Sequence, residues 1–133
     1  MSRSLIQTSN QTSQAVANNG IIGLGSVLRR FGCNCKLSGN AIELEGVGYY
    51  TLTASVSVTP TASGPVTVSF YNDGVQIPGA IAYTTGTEGS PVNVSLISTV
   101  KQGCRCYGTN AITCVLEEGA GTVNNISVRI EKL

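Results

Sequence analysis

Tyr50-Thr51-Leu52-Thr53-Ala54-Ser55-Val56-Ser57-Val58-Thr59 alternates apolar and hydroxyl side chains without a break. Successive strand residues point to opposite faces, so Tyr50, Leu52, Ala54, Val56 and Val58 form one apolar row. Thr51, Thr53, Ser55, Ser57 and Thr59 form a hydroxyl row on the other face. β-branched residues favour the extended chain, and Pro60 and Gly64-Pro65 close the segment. The same period continues on both sides. Val66, Val68 and Phe70 alternate with Thr67, Ser69 and Tyr71, and Asn72-Asp73-Gly74 supplies a turn. Val75 and Ile77 lead to Pro78-Gly79, read as a second turn before Ala80, Ala82 and Tyr83. Val92, Val94 and Leu96, then Ile112, Cys114 and Leu116, then Ile126, Val128 and Ile130 give further apolar rows. Ile42 and Leu44 sit beside Glu43 and Glu45, and a weaker strand signal covers Ile21 to Phe31. No segment sustains a 3.6-residue period. The pattern predicts an all-β sandwich or barrel of about eight to ten strands.

Composition narrows the function. The chain has 133 residues, the size of a single domain, and 41% hydrophobic residues are enough for a core. Only 11% are charged, against roughly 25% in ordinary soluble domains. The net charge of +1 lacks the basic excess of a nucleic-acid binder. Histidine is absent, which removes Ser-His-Asp and Cys-His catalysis and His-ligated zinc; one Asp and six Glu supply carboxylate pairs thinly. A non-enzymatic protein is expected, without a cofactor. So few charges imply that part of the surface is covered by a partner, as in a subunit of an assembly. Met1 to Asn10 has no apolar signal region, so synthesis in a cytoplasm is expected. Ala15 to Leu28 is too short and too interrupted to span a bilayer, and no membrane partner is expected. Residues 1–19 are Ser/Thr/Gln/Asn-rich and read as a polar arm, flexible or docked as an edge strand on a neighbour; residues 20–133 read as the domain.

Five cysteines include two Cys-x-Cys pairs, Cys33/Cys35 and Cys104/Cys106. On a strand each pair projects both thiols to one face. The readings left open are reduced thiols filling sheet positions, disulfides, and a four-thiolate metal site, although zinc sites favour Cys-x(2–4)-Cys. Cys114, in phase with Ile112 and Leu116, is expected in the core. Arg29-Arg30 reads as an anion-contacting patch or as a strand end whose charges face solvent or pair with Glu43 or Glu45 on a neighbour. Glu117-Glu118 reads as a cation site or a solvated turn. Tyr50 is in phase with the core, whereas Tyr49 and Tyr71 are expected at the surface, as are Arg29 and Arg30.

Three stretches carry a family resemblance. They are Gly46-Val-Gly-Tyr-Tyr-Thr-Leu-Thr-Ala-Ser-Val-Ser-Val58, Gly64-Pro-Val-Thr-Val-Ser-Phe-Tyr-Asn-Asp-Gly-Val-Gln-Ile-Pro-Gly-Ala80 and the closing Asn125-Ile-Ser-Val-Arg-Ile-Glu-Lys-Leu133. In that order they resemble the C1q/TNF-like jelly-roll domains of Gram-positive bacteria and their phages, over about residues 20–133. The resemblance implies a ten-stranded, two-sheet jelly roll that forms a homotrimer. Tyr50 stands at the family's Gly-x-Tyr tyrosine, and Tyr50, Leu52, Phe70, Ile126, Val128 and Ile130 become candidates for core or trimer contacts. Ca²⁺ dependence does not carry over, because no Asp cluster is present. Free-standing versions of this kind resemble phage virion proteins. The implied function is a trimeric decoration protein on the outer surface of a capsid, with the major capsid protein as partner. The alternatives are a receptor- or glycan-binding fibre tip, with Tyr49, Tyr71, Tyr83 and Tyr107 stacking on a cell-surface glycan, or a spore or cell-surface jelly-roll protein.

Overall fold

A computed structural model describes residues 4–102 and 111–133. Among them are twelve strands: β1 (Leu5–Asn10), β2 (Gln14–Val16), β3 (Gly20–Ile21), β4 (Ser26–Phe31), β5 (Cys35–Ser38), β6 (Ala41–Leu44), β7 (Gly48–Pro60), β8 (Gly64–Asn72), β9 (Val75–Gly86), β10 (Val92–Gln102), β11 (Ala111–Glu118) and β12 (Gly121–Lys132). They form two sheets. The front sheet runs β10-β7-β12-β1-β4, and β2 continues the line of β1 along β12. The back sheet runs β5-β6-β11-β8-β9, and β3 continues the line of β6 along β11. All pairings are antiparallel. The architecture is the two-sheet jelly roll, all-β, that the alternation and the resemblance lead to.

The period-2 rows meet between the sheets. Tyr50, Leu52, Ala54, Val56 and Val58 of β7 are buried, as are Val66, Val68 and Phe70 of β8 and Ile126, Val128 and Ile130 of β12. Tyr50, Leu52, Phe70, Ile126, Val128 and Ile130 therefore pack inside the protomer. Tyr50 is fully buried yet keeps its polar tip satisfied. Its hydroxyl donates to the Gly46 carbonyl at 2.7 Å and accepts from the Gly46 N–H at 3.2 Å. That clasp is the physical reason for a tyrosine at this place in the Gly-x-Tyr pattern.

Within the stretch expected as a polar arm, Leu5–Asn10 and Gln14–Val16 are strands of the front sheet. β1 lies inside the front sheet between β12 and β4, with Ile6 and Thr8 fully buried. β2 adds Val16 to the core. The side chain of Gln14 then clasps the crossing from β3 back to the front sheet. Its Oε1 accepts from the Gly23 N–H at 2.9 Å, its Nε2 donates to the Gly23 carbonyl at 3.0 Å, and Asn10 Nδ2 donates to the same carbonyl at 3.0 Å. The expected Ile21 to Phe31 strand is thereby split. Ile22 and Leu24 drop into the core, and Gly25 turns the chain at φ 80°, where a Cβ would stand 2.3 Å from the Ser9 carbonyl oxygen.

Asp73 and Gly74 both have positive φ, as a two-residue hairpin of type I′ requires. Pro78-Gly79, by contrast, does not reverse the chain. It lies within β9, where residues 77–80 bulge between the Tyr71↔Gln76 and Ser69↔Ile81 pairs. The bulge buries Ile77 and Ala80, and Ser98 Oγ donates to the Pro78 carbonyl at 3.2 Å.

Cys114 is in the core between Ile112 and Leu116, as its phase predicts, and Cys35 is buried elsewhere in the same core. Gly32, at φ 79°, bends the chain before Cys33-Asn34, so Cys33 and Cys35 do not sit in phase on one strand. Cys33 is exposed and Cys35 buried, and their thiols do not share a face. Burial pushes the Cys35 thiol up from 9.0 to about 11, against the pull of Arg30 and Lys132, and burial alone pushes Cys114 up.

This packing has three testable consequences. Ile6→Ala is expected to destabilise the fold by about 2–5 kcal/mol in urea unfolding, the cost of a cavity in the core; an arm would leave the midpoint unchanged. The raised Cys35 pKa means that its protonated form stabilises the fold fully below pH 9.0, the unfolded value, and less as pH rises toward about 11. The urea midpoint is therefore expected to fall over that window less steeply in Cys35→Ala than in the parent chain. In native buffer iodoacetamide is expected to modify Cys33 and spare Cys35 and Cys114.

Candidate functional site

The hydroxyl row of β7 opens the outer face of the front sheet, and the register shows what stands beside it. Ser55 pairs with Ser95 of β10 and Ser127 of β12; Ser127 pairs with Ser9 of β1, and Ser9 with Ser26 of β4. A row of serines thus crosses the whole sheet. The next row reads Ile97, Thr53, Arg129, Gln7, Arg29, and the one beyond it Thr99, Thr51, Glu131, Leu5, Phe31. Small side chains flanked by longer ones leave a shallow depression of about 560 Å³, lined by Gln7, Thr53, Ser55, Ser95, Ile97, Ser127 and Arg129. At its margin the polar side chains bond to one another. Asn93 Nδ2 donates to Ser55 Oγ at 3.0 Å and Ser57 Oγ at 3.2 Å, and Ser95 Oγ donates to Asn93 Oδ1 at 2.8 Å. Ile97 stands 70% exposed at one side.

The few charges are sorted between the sheets. Strands of the front sheet carry Arg29, Arg30, Lys101, Arg129 and Lys132 against Glu131; strands of the back sheet carry Lys36 against Glu43, Glu117 and Glu118. The near-neutral net charge therefore hides a basic front and an acidic back. Arg129 reaches Glu131 at 3.3 Å. Glu43 and Glu45 are met by Lys36, at 3.6 and 3.9 Å, and Arg29 and Arg30 are exposed, the solvent-facing one of the readings open in the sequence. Arg30 Nε donates to the Cys35 carbonyl at 2.7 Å, tying β4 to β5.

The other candidates disperse. Tyr49 is on the outer face of the front sheet, paired with Lys101, and is 52% exposed. Tyr71 is on the back sheet, where its hydroxyl donates to Glu117 Oε1. That carboxylate pushes the Tyr71 pKa up, and the ring spans the Ser69–Val115 pair, leaving Ser69 without exposure. Glu117 is thus an acceptor for Tyr71. Tyr83 faces out from β9, paired with Thr67. The tyrosines expected to form a glycan platform are divided between opposite faces, and Tyr107 lies outside the described residues. So do Cys104 and Cys106. Among the described residues no group of three His, Cys, Asp or Glu side chains is placed to hold a metal ion.

The β7 half of the front face is legible in the sequence. Ser9, Ser26, Gln7 and Arg129 are not singled out there, because their place on this face depends on long-range pairing, above all of β1 with β12 across more than a hundred residues. No family model matches the chain, and no curated protein matches its sequence. Its fold is similar to solved structures at low identity. Murine APRIL at pH 5.0 superposes with a TM-score of 0.74 at 12% identity, covering 99% of this chain and 100% of that one. The PRD1 vertex protein P5 gives 0.70 at 13% identity, covering 98% and 96%. The globular domain of zebrafish complement 1qA gives 0.68 at 8% identity, covering 97% and 95%. The fold is the TNF/C1q-like jelly roll.

Proposed function

We propose that this chain is a structural, non-catalytic protein of a bacteriophage virion, a homotrimer that decorates the outer surface of the capsid through the major capsid protein. The observation that carries the reading is the outer face of the front sheet. Five strands present small hydroxyl side chains there, with Ile97 and Tyr49 exposed among them and Arg129 already neutralised by Glu131. Along its serine row this face holds no charge to desolvate, so a second protomer covers it there at little cost in solvation. Cyclic closure of three copies hides three such faces around one axis. The likeness to a phage vertex protein supports a place on the head, and the Gly46–Ala80 resemblance supports a phage of Gram-positive bacteria. The dispersal of Tyr49, Tyr71 and Tyr83 over two faces weighs against a glycan-binding tip.

Sedimentation equilibrium is expected to give about 41 kDa, three times the 13.7 kDa chain. Ile97→Lys, at a site exposed in the protomer, is expected to change intrinsic stability by no more than about 0.5 kcal/mol but to shift the mass toward one chain. The trimer is expected to co-sediment with assembled heads and not with unassembled coat subunits. A parent chain that stays monomeric at micromolar concentration defeats the reading.

A further inference from the structure

The four sheet edges differ. β9 carries no charge, β10 only Lys101, and Lys36 of β5 is engaged by Glu43 and Glu45. β4 is the last strand beyond β1, all six of its residues are exposed, and it carries Arg29 and Arg30 side by side. Neither is in an ion pair among the described residues. The register separates them. Arg29 pairs with Gln7 and shares the outer face with Phe31, while Arg30 pairs with Ile6 on the other face, exposed at the edge with its Nε donating to the Cys35 carbonyl. Leu28 is the extra residue of a bulge opposite β1. Val27, Leu28 and Phe31, 40%, 57% and 51% exposed, flank the two cations.

We propose that β4 is a strand-addition site for an extended segment of another protein, one that carries two consecutive carboxylates between apolar residues. Alternate N–H and C=O groups of β4 point away from β1 and supply the ladder. Because consecutive residues of an added strand alternate faces, two adjacent acids place one carboxylate beside Arg29 and the next beside Arg30. Apolar neighbours on either side then cover Phe31 and Val27. A second copy of this chain offers no such segment. Its strand carboxylates are in β6, β11 and β12, all already paired, and the residues outside the described ones carry Arg3 and Arg105 but no acid.

The test uses the full chain, labelled with ¹⁵N, and a fluorescein-tagged peptide with the core Thr-Val-Glu-Glu-Val-Thr. Saturable anisotropy is expected, with amide shifts concentrated in residues 26–31. Arg29→Glu, which leaves the Arg30 bond to Cys35 intact, is expected to weaken binding about tenfold. A peptide with Lys-Lys in place of Glu-Glu is expected to bind the Arg29→Glu/Arg30→Glu chain better than the parent. No binding by the parent chain overturns the proposal. So does undiminished binding by Arg29→Glu, a shift pattern on other strands, or an equal response to polyphosphate of the same charge.

Discussion

The antiparallel pairing of β1 with β12 is the contact on which the rest of the molecule depends. It places the beginning and the end of the chain side by side in the interior of the front sheet, from Leu5↔Glu131 to Asn10↔Ile126. Beyond the ladder, the Lys132 N–H donates to the Ser4 carbonyl at 2.9 Å. With β12 also held by β7, Ile6 and Thr8 are carried into the same layer as Ile126, Val128 and Ile130. Without this pairing β12 would have an open edge along half its length, and the front face would lose Gln7 and Ser9. The pairing spans nearly the whole sequence, so its loop-closure entropy is met only when the core assembles as a unit.

That dependence explains which parts of the fold were legible. β7, β8 and β12 carry long alternating runs, and their inward rows are where the period puts them. The Asp73-Gly74 hairpin has the chemistry its turn demands. β1 was hidden because Leu5-Ile6-Gln7-Thr8-Ser9-Asn10 has a single large inward residue, and its identity as a strand comes from its neighbours. Pro78-Gly79 carries a turn signal, but the chain there is held in line by pairing with β8 on either side, so the signal is spent on a bulge. Cys33 and Cys35 have strand spacing, yet the bend at Gly32 overrides it. In each case a local pattern was decided by a partner that the pattern itself does not identify.

The low charge of the chain takes on a different meaning once the charges are placed. Hydroxyl and amide groups that bond to one another, as Asn93, Ser55, Ser57 and Ser95 do, make a polar face that is self-satisfied. Such a face remains wettable in an isolated chain and still tolerates being covered, because few of its groups demand water. The charges that remain are concentrated on opposite layers, so the molecule has a strong internal polarity at nearly zero net charge. Long-range orientation toward a charged surface is then a property of the sandwich as a whole.

The meeting of the two ends also decides how the protein carries a mechanical load. The first residue of β1 is opposite the last residues of β12, so a tension applied between the termini opens their ladder at one rung and proceeds along it, as a zipper does. Each rung bears the force alone. A partner that grips the molecule by its sheets, across many rungs in parallel, meets far greater resistance than one that tugs on its tails.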